Sequence, residues 1–307
     1  MSNNPLDGGL FYDMSSADYH NLTGSWSSSQ LKDIEKDPEY FHKKYILKEV
    51  EREENSVFEV GSYFHCAILE PDKMQQECAV FTGVRRGKEW DKFKEDNKNK
   101  AIITANELEQ ANGLIRAVKD SPVAMNRIER SKPEVSCFLK VFVDGGNIYA
   151  TDYGVRIDKY GWVTDKKKPS KTAVHLVLKV RADSLGSDFV LDLKSTTGNC
   201  KLAHSLKSTV SRYGYDLSAS LYLDLFSVVD CHKADFIWTF ASKDTYTSRS
   251  WRASANNILV GRAKWRSAVV QLANCIADEW VFEDSLGTLE PENFQLELLK
   301  ERAEDLL

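Results

Sequence analysis

Two apolar, β-branched runs separated by a short turn constrain this chain more than any other feature. VHLVLKVRADSL (174–185) and DFVLDLKST (188–196) both read as strands, and Gly186 lies in the turn between them. Such a hairpin returns Asp192, on the second strand, to the neighbourhood of Asp183, near the end of the first. Residues two apart on a strand share a face, roughly 7 Å apart, so Asp192 and Lys194 point the same way. Taken alone, that pair is weak evidence for a site, since ion pairs and charge pairs on edge strands are frequent. Asp183 changes the balance. Two carboxylates held together repel unless a cation lies between them, and hard oxygen ligands favour Mg²⁺ or Mn²⁺. A neighbouring ammonium can then hold a nucleophilic water or stabilise charge on a phosphoryl oxygen. Metal, water and lysine together describe a site for phosphodiester hydrolysis.

The rest of the chain supplies the scaffold. SSSQLKDIEKDPEYFHKKYI (27–46) opens with capping serines, spaces Leu31 and Ile34 as a helix and ends or restarts it at Pro38. SVFEVGSYFHCAILEP (56–71) places Phe58, Gly61, His65, Ile68 and Leu69 near one helical face before Pro71 closes the run. Thr104 caps a third amphipathic stretch that carries Leu108, Ala111, Ile115 and Val118, and Pro122 follows its end.

From 134 the character changes. EVSCFLKVFVD (134–144) alternates, DGGN turns the chain into IYATDYGVRID, and the 174–196 hairpin follows. The spacing predicts a single helix over 204–229, two strands within 235–251 and a long helix over 256–280. The expected fold is α/β (α+β): a mixed central sheet flanked by helices, with an N-terminal helical portion. We expect one domain over 1–280: mainly helical to 130, catalytic sheet and helix over 131–255, a packing helix over 256–280. Residues 281–307 form an acidic tail, helical from Glu292.

Charge sharpens the partner question without deciding it. The net charge of −5 hides a terminal segment, 278–307, with ten acidic and two basic residues, which leaves +3 on the remaining 277. Lys159–Arg181 holds seven basic residues against Asp165 alone, and VRRGKEWDKFKEDNKNK (84–100) seven against four acids. Such patches suit a polyanion and equally a solvated lysine-rich loop. The six cysteines are scattered without a CxxC pair and read as reduced thiols of an intracellular protein. No run of eighteen apolar residues suggests a membrane span, and the N-terminus lacks the pattern of a signal peptide.

A second acidic–lysine set, Asp158 with Asp165 and Lys167, competes with the first. Its second half, TDKKKPSK, is polar and interrupted by proline, which predicts a loop, DNA-facing or simply flexible, rather than a core strand. The set at 183, 192 and 194 is therefore preferred.

With these residues placed, the chain resembles the PD-(D/E)xK nucleases, and more narrowly the exonuclease VIII (RecE-type) branch of the RecB-like group. The resemblance spans roughly residues 18–280 and rests on SSSQLKDIEKDPEYF, VGSYFHCAILEP, KPEVSCF, VRAD, LDLKST and the YGYDLSASLY helix. It implies a restriction-endonuclease-like core in which Asp183, Asp192 and the backbone carbonyl of Leu193 ligate Mg²⁺ (or Mn²⁺) and Lys194 positions the attacking water. His65 matches a helix histidine placed at the metal or its first water; on its own it reads as a buried structural histidine. Glu134 matches an acidic residue able to take a second metal, the alternative being an exposed glutamate after Pro133.

The helix after the D-x-K strand usually carries a glutamine four residues before a tyrosine. Tyr222 is present here, but Ser218 stands at the glutamine position, and RAD replaces the usual proline-containing motif before Asp183. Arg181, Arg212, Tyr215, Ser218 and Tyr222 are candidate DNA contacts. The resemblance further implies 5′→3′ degradation of linear double-stranded DNA, a ring-shaped homo-oligomer (trimer or tetramer), a single-strand annealing partner, phage or prophage recombination and a bacterial cytoplasm. Two alternatives stay open: a DNA-binding or scaffold protein that kept the fold without catalysis, and a related nuclease of different polarity.

Overall fold

A computed structural model describes residues 4–50 and 56–282 of the chain. The tail expected to turn helical at Glu292 lies outside the described residues. The N-terminal part is built from short elements with explicit start signals. After β1 (Gly9–Phe11), α1 (Ser16–Asn21) and β2 (Trp26–Ser27) comes α2 (Ser28–Lys36). Ser27 and Gln30 form a reciprocal capping box at the start of α2, and Leu31 and Ile34 are completely buried. Pro38 opens α3 (Pro38–Phe41), where its missing N–H costs nothing.

Helix α4 (Ser56–Leu69) stops before Pro71 and is followed by α5 (Met74–Glu77). The basic stretch 84–100 holds α6 (Gly87–Asp96), flanked by β3 (Cys78–Phe81) and β4 (Ala101–Thr104), which pair parallel as a separate two-stranded sheet. Four-residue strands are too short to show a period, so this pair was not legible in the pattern. Next come α7 (Ala105–Lys119), with a Thr104–Glu107 capping box, and α8 (Pro122–Glu129).

The main sheet follows. It contains β5 (Lys132–Asp144), β6 (Asn147–Ala150), β7 (Val155–Ile157), β8 (Trp162–Thr164), β9 (Val174–Leu185) and β10 (Phe189–Thr196). The run after DGGN is divided into β6 and β7 by a turn containing Gly154 at φ 62°. After α9 (Ala203–Arg212) and α10 (Tyr215–Val229), β11 (Asp235–Ser242) pairs parallel with β10, and β12 (Ser248–Arg252) returns antiparallel before α11 (Ala255–Ala277). The single helix expected over 204–229 is broken because Gly214 adopts φ 58°, a left-handed conformation that ends one helix and begins the next.

The strands run in the order β12-β11-β10-β9-β5-β6-β7-β8, with β1 added to β5 and β2 to β9. Both faces of the sheet are covered. Val190, Trp238 and Phe240 belong to the larger core with Leu31, Leu217, Leu221 and Trp265 from α2, α10 and α11. Leu193 and Ala241 pack instead with Phe64, Ile68, Leu114 and Val118 from α4 and α7. A strand buried on both faces needs apolar residues throughout, which is why the charges of β10 stand out in its sequence.

One irregularity positions everything that follows. Strands β9 and β10 pair only at Leu185–Val190 and Ser184–Leu191 before they separate. Further down β9, the vacated edge is taken by β2, at Leu178 and Lys179. Between these pairings Val180–Asp183 have no strand neighbour on that side among the described residues. The fork is closed by side chains instead.

Candidate metal and catalytic centre

At the fork the Asp183 carboxylate replaces a ladder bond: the Leu193 N–H donates to its Oδ2 at 2.6 Å. On the other side of β9, Pro133 pairs with Ser184 and Val135 with Ala182, so Glu134 lies opposite Asp183. Glu134 has φ 51°, a left-handed conformation that costs a non-glycine residue about 1–2 kcal/mol. Arg181 holds it there, its Nε donating to Glu134 Oε2 at 2.5 Å. The same guanidinium donates to the Met14 carbonyl and to Ser136 Oγ, and its side chain is 9% exposed. Arg181, expected among the DNA contacts, is thus spent inside the protein.

His65 reaches the same point from α4, with Nδ1 3.5 Å from Asp183 Oδ2. Ligand atoms of His65, Glu134 and Asp183 all lie within 4.8 Å of one another. Asp192 and Leu193, also expected as ligands, lie beside this trio rather than in it. Asp192 Oδ1 accepts from Lys194 Nζ at 2.6 Å, and the Leu193 backbone faces the His65 ring. The i, i+2 geometry of β10 therefore places carboxylate and ammonium on one face, as the strand period requires.

The electrostatics suit a cation site. Burial first, and the Asp192 carboxylate second, push the Asp183 carboxyl up to about 7. Burial and then Asp183 raise Glu134 against the opposing pull of Arg181. Burial and then Lys194 lower His65, which keeps its imidazole neutral and able to ligate. Burial works against the Lys194 ammonium, but Asp192 and Asp183 outweigh it and raise its pKa above the ordinary lysine value. Lys194 is therefore a fixed cation rather than a ready base.

Two hard oxygen donors and one neutral imidazole fit a Mg²⁺- or Mn²⁺-type ion, whose bonds of about 2.0–2.1 Å require only a small contraction of the trio. A pH dependence follows. Because folding raises the Asp183 pKa from 3.8 to about 7, the metal-free fold holds that proton better than the unfolded chain. Its stabilising contribution is complete at low pH and is lost as pH rises through about 7. A metal needs the deprotonated form. Calorimetric titration with Mn²⁺ is expected to show affinity rising about tenfold per pH unit below 7 and levelling off above it, with proton release; a flat profile would contradict the coupling.

The remaining candidates sit on or before α10. Burial, then Asp192 and Asp183, raise the Tyr222 phenol, which faces Ser28 and the Arg181 backbone at the fork. Ser218, one turn earlier, is half-buried. Tyr215 stacks on Tyr213 and lies under the Lys194 ammonium, 5.6 Å from its ring centre. Arg212 is exposed, its guanidinium over the Tyr213 ring.

The competing set at 158–167 is dispersed into structural duties. Asp158 accepts from the Tyr160 and Gly161 N–H groups, Asp165 pairs with Arg156, and Lys167 pairs with Asp144. One residue the sequence reading did not assign, Lys32, also reaches this region; its signal was a lysine inside SSSQLKD, beside a core-facing leucine.

Comparison with known proteins bears on the family and the fold. Residues 27–280 match a family described as PDDEXK-like domain of unknown function (DUF3799). The chain belongs to that family. The crystal structure of a "Putative exonuclease" from Eubacterium rectale is similar in fold, with a TM-score of 0.55 at 15% identity over 92% of this chain and 97% of that one. No curated protein matches the sequence. The helix-flanked mixed sheet of this PDDEXK-like chain is accordingly the restriction-endonuclease-like fold, with Asp183 and the Asp192–Lys194 pair at the fork of its central strands.

Proposed function

We propose that this PDDEXK-like protein is a divalent-metal-dependent deoxyribonuclease, acting as an exonuclease on linear double-stranded DNA. The observation that carries this reading is one juxtaposition. A three-residue donor set, His65, Glu134 and Asp183, lies beside an Asp192–Lys194 pair with Nζ and Oδ1 2.6 Å apart. Asp183, Glu134 and His65 would hold the cation, with the Asp192 carboxylate beside them as a further donor. Bound there, the cation would supply Lewis-acid polarisation of a phosphoryl oxygen and a water of lowered pKa.

Lys194, kept charged by its carboxylate neighbours, orients the attacking water and stabilises charge on the phosphoryl oxygen. Water adds to phosphorus as the P–O3′ bond breaks, leaving a 5′-phosphate and a 3′-hydroxyl. His65 stays neutral and keeps a donor aimed at the cation, while Arg181 fixes Glu134 in its left-handed conformation.

The resemblance to RecE-type exonucleases supports the finer reading: 5′→3′ polarity, 3′ single-stranded products for strand annealing, a ring-shaped oligomer and an annealing-protein partner. It also supports treating residues 1–280 as one nuclease domain with 281–307 as an appended acidic tail. No helix among the described residues is long and apolar enough to cross a membrane. The intact Asp183, Asp192 and Lys194 set favours catalysis over a scaffold that has lost it.

Incubating the protein with linear duplex labelled at the 5′ or the 3′ end tests this. The expected result is Mg²⁺-dependent release of 5′-labelled mononucleotides, absent in EDTA and absent from a closed circle. Release of 3′ label first would reverse the polarity, and activity in EDTA would sink the mechanism.

A further inference from the structure

A second lysine is built into the same centre by α2. Ser28 and Lys32, four residues apart, share one face of α2; Tyr215, Ser218 and Tyr222 share one face of α10. The two faces meet at both ends. Ser28 faces the Tyr222 phenol, and Lys32 Nζ lies 5.5 Å from the centre of the Tyr215 ring. Lys194 Nζ lies 5.6 Å from the centre of that same ring. Two ammonium groups, from β10 and from α2, thus share one aromatic ring.

Packing fixes the position of Lys32. Leu31 and Ile34 on either side are completely buried, which fixes the helix. The lysine stem runs over Gly214, where an added Cβ would come within 3.3 Å of Cδ and Cε. Glycine serves twice there, since its φ of 58° also disfavours any side chain.

Yet the charge has no partner of its own. No carboxylate lies within ion-pair distance of Lys32 among the described residues. The adjacent Asp33 is taken by Lys44 and Tyr45, and Asp216 by Lys264. Burial and then Lys194 depress the Lys32 pKa to about 8, which marks a cation held against both desolvation and a like charge. Asp192 and Asp216 attract it only from beyond ion-pair distance and do not offset those costs, so a half-buried ammonium kept in such a place gains most when an anion from outside the chain arrives.

We propose that Lys32 is a substrate-binding residue that holds a backbone phosphate of the nucleic-acid strand next to the phosphate faced by Lys194. For its choice of ligand this rests on the nuclease reading; the ring shared by the two lysines and the empty pairing are independent of it. A purely structural lysine is the competing account, in which stem packing and the contact with Tyr215 are all that matter.

The test uses the full chain and separates binding from cleavage. In a Lys194→Ala background, duplex DNA affinity is measured with and without Lys32→Met from 50 to 200 mM KCl. Met keeps most of the stem and removes the charge. The expected result is affinity lower by about tenfold and a salt slope smaller by about one, as loss of one phosphate contact requires. With Lys194 present, Lys32→Met is expected to raise KM by a similar factor, and Lys32→Arg to restore much of the affinity.

An unchanged salt slope and KM in a normally folded Lys32→Met protein overturns the proposal while leaving the nuclease reading intact. If the salt slope falls as expected but the wild type cleaves no DNA, the phosphate contact stands and the nuclease reading fails. A wild type that binds no DNA at any salt concentration overturns both.

Discussion

Replacing Lys194 by methionine should leave a folded, metal-binding protein that hydrolyses DNA about 10²–10³-fold more slowly, the range found when one preorganised donor is removed from a transition-state site. The prediction follows from the charge state. Asp192 at 2.6 Å and the nearby Asp183 hold the Lys194 ammonium above the ordinary lysine pKa, so its contribution is charge and orientation rather than proton abstraction. Loss should therefore appear in kcat more than in KM, because an interaction made chiefly in the transition state is removed. Metal affinity should hold or improve, since Asp192 is freed to serve as a ligand. Arginine should not rescue fully, as a planar fork cannot replace a compact ammonium at this spacing. Cleavage within threefold of wild type would show that the pair is only structural.

Asp183→Asn has the second large effect, and its two parts point in opposite directions. Asparagine keeps an oxygen that can accept from the Leu193 N–H, so the fork remains closed. It removes the charge that burial and Asp192 disfavour. The metal-free variant should therefore melt at or above the wild-type temperature at pH 8. Mn²⁺ should no longer raise that temperature, and hydrolysis should fall by about a thousandfold or more, in line with losing several kcal/mol of metal-assisted charge stabilisation. Asp183→Ala would confuse the comparison, because it also orphans the Leu193 N–H at a cost of about 1–3 kcal/mol. A variant that still responds to Mn²⁺ would remove Asp183 from the ligand set.

Much of this architecture was legible before any coordinates. The serines at the start of 27–46 and Thr104 start helices where their capping chemistry says they should. Pro71 lies just beyond α4, and Gly186 turns β9 into β10. Where the reading failed, the cause was local. Gly214 adopts a left-handed conformation that breaks a helix, while the apolar periodicity continues across the break. Arg181 shows a different limit. A basic residue two positions from a candidate ligand invites a DNA role, but its guanidinium reaches diagonally across the strands to the Glu134 carboxylate, and that contact is invisible in sequence.

What the sequence determined by itself was local and periodic. A two-residue repeat commits Asp192 and Lys194 to one face, and a short turn commits Asp183 to their vicinity; both are consequences of strand geometry within one hairpin. What only the tertiary structure decided was which distant groups complete the set. His65 arrives on α4, Glu134 through a register across β5 and β9, and Lys32 through α2 packed on α10. Period and turn chemistry specify which way a side chain points, but the group it meets depends on long-range pairing. Here that pairing turns on the point where β9 and β10 part, leaving an edge that an aspartate, a tyrosine and β2 must fill.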